Sequence, residues 1–550
     1  MKPDVRLLLL TALLSIAWNP AAQASKKTVC TITVNSADEK ETFRANLPSD
    51  RFQFVELVER GRSDWLESAC RKGVQCDVLV ISGHYDGGNE FFSDQLDARE
   101  FLPVDEMERV SCSNSCPGLF SQLKEVYLFG CDTLNAGAVK SASAEIGRSL
   151  IHSGHSKAEA ERATRALSVR HAESSRDRMR LVFPDVPAIY GFSSVAPLGP
   201  SAAATLRAHF KSAGTGEVGT GRPSGRLLSR FASNSMVVTS GMSGADLQAA
   251  HRKDVCQFAD DRLSSVQKLG FVHQLLNREA AESRMFLDRI ERFSASLSKK
   301  EPHSPEVSTA LDRIARDDKA RDRYLTFARD ADEAVIRARM IEVAHGLGWL
   351  TKAERRTELR QLIGAQLASS APTAADVDLA CRLNGDGDLQ EDGEHVRGLP
   401  AMSGKVAHAA ILACLGSADD RARVLEGLTS SNDADVQVAQ VFLRHRPLSV
   451  AELREVTTGI ARMSVPAAKV RALETLAGHR VSDRETLGEI ARLFPVAETA
   501  GVQMAIAGVL IRSDYTSMDK FDLVQTLQQH RIKSSEGANM IDALIRRLQM

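Results

Sequence analysis

Between residue 28 and about residue 194 the chain sets short, nearly unbroken apolar runs between amphipathic stretches. The runs are TVCTITV (28–34), FQFVELV (52–58), DVLVIS (77–82), EVYLFG (125–130) and PAIYGF (187–192). A strand with one solvated face alternates apolar and polar residues, whereas a strand apolar at nearly every position is covered on both faces. Separated by helix-like segments at 37–46, 63–72 and 141–153, the runs predict an α/β domain whose mostly parallel sheet is flanked by helices. Ligand sites of such sheets lie beyond the carboxyl ends of the strands. That directs attention to two runs ending on reactive residue types: VLVISGH at His84 and EVYLFGC at Cys131.

The pattern changes near residue 245, where Ala, Leu, Arg and Glu at helical spacing replace the strand-like runs. An all-α region is expected from there on. Within it VQVAQVFL, KVRALETL and VQMAIAGV begin at 436, 469 and 502, a period of 33 residues that keeps Ala439, Ala472 and Ala505 in phase, and KVAHAAIL at 405 reads as a degenerate earlier copy. A period of that length predicts stacked helix pairs of an α-solenoid, similar to HEAT repeats, with a plain helical bundle as the alternative. Expected boundaries are a signal peptide at 1–24, an α/β domain at 25–240, a helical domain at 241–375 and HEAT-like repeats at 376–550.

The basic start MKPDVR, the apolar LLLLTALLSIAW and the small-residue site Ala22-Gln23-Ala24 have the layout of a secretory signal, so the mature chain is expected to be exported, periplasmic or secreted, from about Ser25. No later run approaches the roughly 20 apolar residues of a membrane-spanning helix. Lys+Arg 70 against Asp+Glu 71 leaves a net charge of −1, which provides no field for nucleic acid. Export permits disulfides, and the chain has nine cysteines, an odd number. Cys112 and Cys116, in a turn-rich segment, are expected to form a local disulfide, and Cys70 with Cys76 another. A zinc site is disfavoured because no second close Cys/His pair accompanies them, and no metal or cofactor is expected.

A thiol is only a few per cent ionised at neutral pH, so a nucleophilic cysteine needs an adjacent base. His84 can supply one if neighbouring strands bring it to Cys131. Glycines beside both residues, Gly83, Gly87, Gly88 and Gly130, provide sharp turns whose N–H groups can face an oxyanion. The competing readings are a structural histidine at a strand end and a Cys131 consumed by a disulfide with Cys112 or Cys116. His152, His155 and His171 lie in polar helical surroundings and read as surface residues. Ser82 and Ser193 lack a G-x-S-x-G elbow, which disfavours a serine hydrolase.

The strand ending in Ser-Gly-His, the intervening helix and loop, and the strand ending in Gly-Cys 47 residues after the histidine resemble the His/Cys dyad of caspase-like cysteine peptidases, the group of caspases, metacaspases, gingipains, separases and CHAT domains; in caspases the histidine lies about 50 residues upstream of the nucleophile. The resemblance covers about residues 28–235. It implies a caspase-like sheet, a Cys131 nucleophile, a His84 base, oxyanion donors from the backbone of Tyr85 and Cys131, a thioester intermediate and a polypeptide substrate. The family usually has Gly directly after the histidine, and Tyr85 stands there. Asp86, Glu90 and Asp132 are nearby candidates for a specificity pocket. The expected function is an exported cysteine endopeptidase with a helical-repeat scaffold that binds a substrate or protein partner. The alternative is an inactive caspase-like domain in an envelope interaction protein.

Two further loops imitate known motifs. GTGEVGTGRPSGR (214–226) contains G-x-G-x-x-G but follows a helical stretch instead of a strand, so it reads as a flexible surface loop in which Arg222 and Arg226 offer a maturation cleavage site. NGDGDLQEDGEH (384–395) begins like a calcium loop through Asn384, Asp386 and Asp388. It then places Leu389 where Gly is needed and His395 where Glu is needed, and reads as a solvated turn.

Overall fold

A computed structural model describes residues 26–57, 66–94, 100–113, 116–137, 142–152, 154–171, 173–212, 214–299, 302–389, 405–514, 518–532 and 539–549. The signal segment 1–24, and with it Ala22-Gln23-Ala24, lies outside these residues, as does His395. The chain divides into two compact units, one ending at Asp332 and the other beginning at Glu333.

The first unit is built on a six-stranded sheet. Its strands are β1 (Lys27–Thr33), β2 (Phe52–Glu56), β3 (Val78–Ser82), β7 (Glu125–Phe129), β8 (Ala188–Phe192) and β9 (Met236–Thr239), ordered β2-β1-β3-β7-β8-β9. All pairings are parallel except β8 with β9. A small antiparallel sheet of β4 (His84–Tyr85), β5 (Glu90–Phe92) and β6 (Phe101–Pro103) follows directly from β3. The five apolar runs are therefore the five parallel strands. Not anticipated were the β4–β6 sheet, whose strands have only two or three residues, and the antiparallel edge strand β9.

Alternation of side chains across the pleat divides the core in two. Ile32, Leu79, Ile81, Val126, Leu128 and Ile189 face one side. There they meet Met107 and Val110 of α3 (Val104–Ser113), Leu119 of α4 (Pro117–Ser121), and Met179 and Val182 of α7 (Ser175–Val182). Val29, Val80, Tyr127, Phe129, Tyr190 and Phe192 face the other. They pack on Phe43 of α1 (Asp38–Asn46), Leu206 of α8 (Gly199–Lys211) and Leu227 of α9 (Gly225–Arg230). This double covering is what the unbroken apolar runs required.

Eight of the nine cysteines form disulfides: Cys30–Cys76, Cys70–Cys116, Cys112–Cys256 and Cys381–Cys414. The expected local pairings Cys112–Cys116 and Cys70–Cys76 are corrected. Cys70 belongs to α2 (Glu67–Arg71), which packs on α4, and Cys116 immediately precedes α4, so Cys116 turns to Cys70 at a Cα separation of 4.8 Å. Cys112, in the last turn of α3, meets Cys256 of α10 (Ala249–Ala259), the helix packed on α3. Cys76 enters β3 beside β1 and closes on Cys30. Sequence proximity is overridden because each partner is presented by an adjacent element. Four disulfides fit an oxidising, exported environment, and among the described residues no helix is long and apolar enough to cross a membrane.

The unit boundary after Asp332 falls inside the segment 241–375 that reads from sequence as one helical domain. Besides Cys112–Cys256, the ion pairs Arg289–Glu108 and Arg284–Glu145 bind the helices that follow residue 240 to α3 and to α5 (Ala142–His152). Burial pushes the Glu108 carboxyl up, but Arg289 and Arg178 outweigh it and bring it down to about 2.

Described elements of the second unit are all helical. The in-phase alanines lie on helices Asp433–His445, Pro466–Ala477 and Ala500–Arg512, each packed on the next, and the last packs on Asn539–Gln549. The intervening helices Ala418–Leu428, Val450–Arg462 and Arg484–Arg492 likewise contact one another in succession. Ala439 and Ala472 are fully buried and Ala505 nearly so, because a small residue recurs where neighbouring helices approach. In the loop read as a solvated turn, Gly385 and Asp386 are exposed as expected, but the two ends of the described stretch 384–389 are buried. Asn384 is buried, donating to the Cys414 carbonyl at 2.9 Å and accepting from the Leu389 N–H at 2.9 Å, while Leu389 is 1 % exposed.

Candidate active site

His84 and Cys131 occupy matching places at the carboxyl edge of adjacent parallel strands. The register of β3 and β7 closes on Ser82 opposite Phe129, and each candidate follows two residues later. The strands remain in contact there: Gly83 N–H donates to the Phe129 carbonyl at 3.1 Å. A Cβ on Gly130 would stand 2.8 Å from the Gly83 carbonyl oxygen and 3.0 Å from the Tyr85 Cβ. Glycine is therefore required at 130 by the approach of the chain carrying His84.

Alternation also puts both side chains on one face. Tyr85 belongs to the same core as Leu79 and Ile81, so the pleat persists through residue 85 and His84 projects on the opposite face, that of Val80. Cys131 has the parity of Tyr127 and Phe129, which line that same face. Its Sγ accepts the Ala196 N–H at 3.4 Å, and Ala196 packs against the same core. Cys131 is free and half-buried, which removes the reading in which a disulfide with Cys112 or Cys116 consumes it.

The turn carrying Cys131 is tightly fastened. Asp132 has a φ of 57°, a left-handed conformation in which Asp is enriched among non-glycine residues. Its N–H donates to the Ser194 carbonyl at 2.8 Å, and Leu134 N–H donates to the Phe192 carbonyl at 2.9 Å. Thr133 Oγ1 accepts the Phe192 N–H at 3.1 Å. The chain thus turns sharply onto the end of β8 immediately after the thiol. The N–H groups of Gly83 and Asp132 are committed; of the expected donors, Cys131 is next to Asp132 along the chain and Tyr85 lies two residues after Gly83.

The Tyr85 side chain turns inward. Its ring is 6 % exposed and lies 4.8 Å from that of Phe91, and burial pushes its hydroxyl up to about 12. The ring belongs to the core and leaves the face of His84 clear. The His84 ring lies 5.4 Å from that of Phe92, tilted by 31°; Phe92 is its partner in the β4–β5 pairing. Its Nε2 lies 3.2 Å from Asp94 Oδ2; the two side chains are 33 % and 67 % exposed.

The three pocket candidates have different fates. Asp86 Oδ1 accepts the N–H groups of Gly88, Asn89 and Glu90. Burial opposes its ionisation but these donors prevail and hold its carboxyl low, so it organises the β4–β5 turn. Asp132 Oδ1 accepts from Asn135 Nδ2 at 2.9 Å. Glu90 is a residue of β5 opposite Pro103.

Two groups escaped sequence reasoning. Asp94 is one: the segment HYDGGNEFF forms a hairpin that brings the chain back past His84, and its central Asp-Gly-Gly is a legible turn signal. Glu39 is the other; it is 3 % exposed near the end of β1, and burial pushes its carboxyl up against the opposing hydrogen bonds from its own backbone, Ser36 and Ser82. Of the surface histidines, His152 and His155 are exposed as expected. His171 is corrected: it is 5 % exposed, with Nδ1 3.2 Å from His251 Nδ1 and its ring against Phe286. Its helix, α6 (Lys157–Arg170), ends where α10 supplies a covering surface that a polar local sequence does not announce.

No protein-family model, curated protein or solved structure matches this chain.

Proposed function

We propose that the protein is an exported cysteine endopeptidase of caspase-like type. Cys131 is its nucleophile, His84 its base, and the second unit a HEAT-like solenoid that binds the polypeptide substrate or a protein partner. The observation that carries this reading is the selective sparing of one thiol. Eight cysteines are oxidised, and the ninth stands at the carboxyl edge of the sheet in register with a half-exposed histidine.

His84 takes the thiol proton and the thiolate adds to the scissile carbonyl carbon. The resulting oxyanion is met by the backbone N–H groups of Tyr85 and Cys131. Collapse breaks the C–N bond, the imidazolium returns its proton to the leaving amine, and a thioester remains on Cys131. Water, deprotonated by His84, then adds to the thioester and expels the thiolate.

The test is alkylation mapping of the non-reduced mature protein followed by a peptide-library assay. Wild type is expected to be labelled at Cys131 and to cleave, with cleavage abolished in Cys131→Ala and His84→Ala. A Cys131 that is neither labelled nor required for any cleavage sinks the reading.

A second reading, an inactive domain within an interaction protein, is favoured by a cleft of about 820 Å³ in the second unit, lined by Gln437, Gln440, Arg444, Glu474 and His479 among others. Polar side chains on successive repeat helices suit an extended polypeptide.

A further inference from the structure

We propose that Asp94 is the positioning residue of this site, completing a Cys131–His84–Asp94 triad. The inference rests on the cysteine-peptidase reading above. An imidazole that serves as a base must present one ring nitrogen to the thiol with its lone pair free, and the tautomer is fixed by what the other nitrogen bonds. Asp94 Oδ2 lies 3.2 Å from His84 Nε2. An acceptor-only carboxylate there keeps the proton on Nε2 and leaves Nδ1 as the nitrogen that receives the thiol proton. The ring plane is limited from a second direction by Phe92, 5.4 Å between centroids.

The backbone explains how Asp94 reaches this place. β4 and β5 pair antiparallel with His84 opposite Phe92, so residue 94 lies just beyond the end of the hairpin on the return strand. Asp86 caps the intervening turn through three backbone N–H groups. Ser93, the residue before Asp94, donates its N–H to the Glu100 carbonyl at 2.8 Å and its hydroxyl to Asn35 Oδ1 at 3.1 Å. The return strand is thereby tied both to the start of β6 and to the end of β1.

Charge completes the case. When the thiol proton moves to Nδ1, the imidazole becomes a cation facing the Asp94 carboxylate on one side and the new thiolate on the other. No atom is gained or lost, since one proton passes from Sγ to Nδ1. Because Asp94 is 67 % exposed, its electrostatic effect is that of a screened pair.

The experiment measures the rate of Cys131 alkylation by iodoacetamide against pH in the full mature chain, for wild type, Asp94→Asn, Asp94→Glu and His84→Ala. Asp94→Asn is expected to slow alkylation about two- to fivefold near pH 6.5, the range of an exposed ion pair. The loss should appear along the rate–pH curve, with Asp94→Glu recovering part of it. Near-ultraviolet circular dichroism of each variant separates this from misfolding. If Asp94→Asn coincides with wild type while His84→Ala is slow, the positioning role is overturned and the dyad stands. If His84→Ala also coincides with wild type, the base reading itself falls.

Discussion

The two ends of β7 are made of opposite materials. At the amino end Glu125 is 1 % exposed, and its carboxylate accepts the N–H groups of Gly219 (2.8 Å), Thr220 (2.9 Å) and Gly221 (3.0 Å) and the hydroxyl of Tyr127 (2.8 Å). Six residues later, at the carboxyl end, the half-buried Cys131 has a 3.4 Å contact from one N–H. The first end is a closed shell of donors around an anion. The second is a free thiol on a turn held by its backbone. One strand thus ends in a closed anion site at one edge of the sheet and in a free thiol at the other, the carboxyl edge where open α/β sheets place their ligand sites.

That contrast also explains the glycine-rich loop. A run of glycine N–H groups makes an anion-binding concavity, which is why GTGEVGTGRPSG imitates a dinucleotide motif. Here the anion is the protein's own. Gly219 and Gly221 have φ of 70° and 72°, conformations that side chains resist. Lys27 Nζ donates to the carbonyls of Val218 and Gly219, and Tyr190 Oη accepts the Ser224 N–H. The expectation of a flexible loop is therefore corrected. The segment is an ordered cover over the amino edge, and its proposed cleavage positions lie inside it or at the start of α9.

The largest expected effect breaks the closed end. Glu125→Ala leaves three backbone donors and a tyrosine hydroxyl around a void, and a loss of about 3–5 kcal/mol in denaturant unfolding is expected. A loss below about 1 kcal/mol would show that the glycine loop finds water or another acceptor, and the contrast between the two edges would fail.

How much of this was legible follows from the range of each signal. The five parallel strands were legible because burial on both faces writes itself into every residue of a run. The level placement of His84 and Cys131 was legible because parallel neighbours align their carboxyl ends, and each residue follows the last paired position by two. Asp94 was not, because its position depends on a two-residue hairpin strand too short to show a period. Disulfide partners were not, because Cys112 and Cys256 meet through a helix packing that no local pattern encodes. Glu125 looked like the polar start of a strand, and the loop that buries it lies 94 to 96 residues away.

A second perturbation tests the open end through its backbone. Gly130→Ala directs a methyl group against the Gly83 carbonyl and the Tyr85 Cβ, at 2.8 and 3.0 Å, and relief must move the segment that carries His84. A destabilisation of about 1–3 kcal/mol is expected, together with slower iodoacetamide alkylation of Cys131. Unchanged alkylation in a folded Gly130→Ala protein would mean that the two strand ends do not cooperate.

Acid tests whether the frame and the site can be separated by pH. Burial, followed by the neighbouring His171 and Arg289, pushes His251 down to about 3, and burial lowers His171 as well. A histidine depressed in the native state binds its proton first in the unfolded state. Stability is therefore full above the unfolded value near 6.5 and falls as the pH drops from 6.5 towards 3. At pH 5.5 the cost is about 1.4 kcal/mol for His251 alone, and His251→Asn should remove that slope in urea unfolding followed from pH 7.5 to 5. Urea midpoints independent of pH over that range in wild type would count against neutral burial of the pair. Any change in Cys131 alkylation well above pH 6.5 then belongs to the site, since the histidine pair is neutral in both states there.

The smallest stability effect is expected at the residue with the largest effect on chemistry. Cys131→Ala removes one half-buried sulfur whose hydrogen-bond donor, the Ala196 N–H, is itself only part-buried. It leaves the backbone of the turn intact, because Asp132, Thr133 and Leu134 hold it independently through Ser194 and Phe192. A change of less than about 1 kcal/mol follows from the lost packing and one weak contact, to be read from the urea midpoint. Cleavage of any peptide that wild type cleaves should vanish, since no other free thiol exists among the nine cysteines. Loss of several kcal/mol would instead make Cys131 a core residue like its neighbours on β7, and the difference between the two ends of the strand would be one of degree.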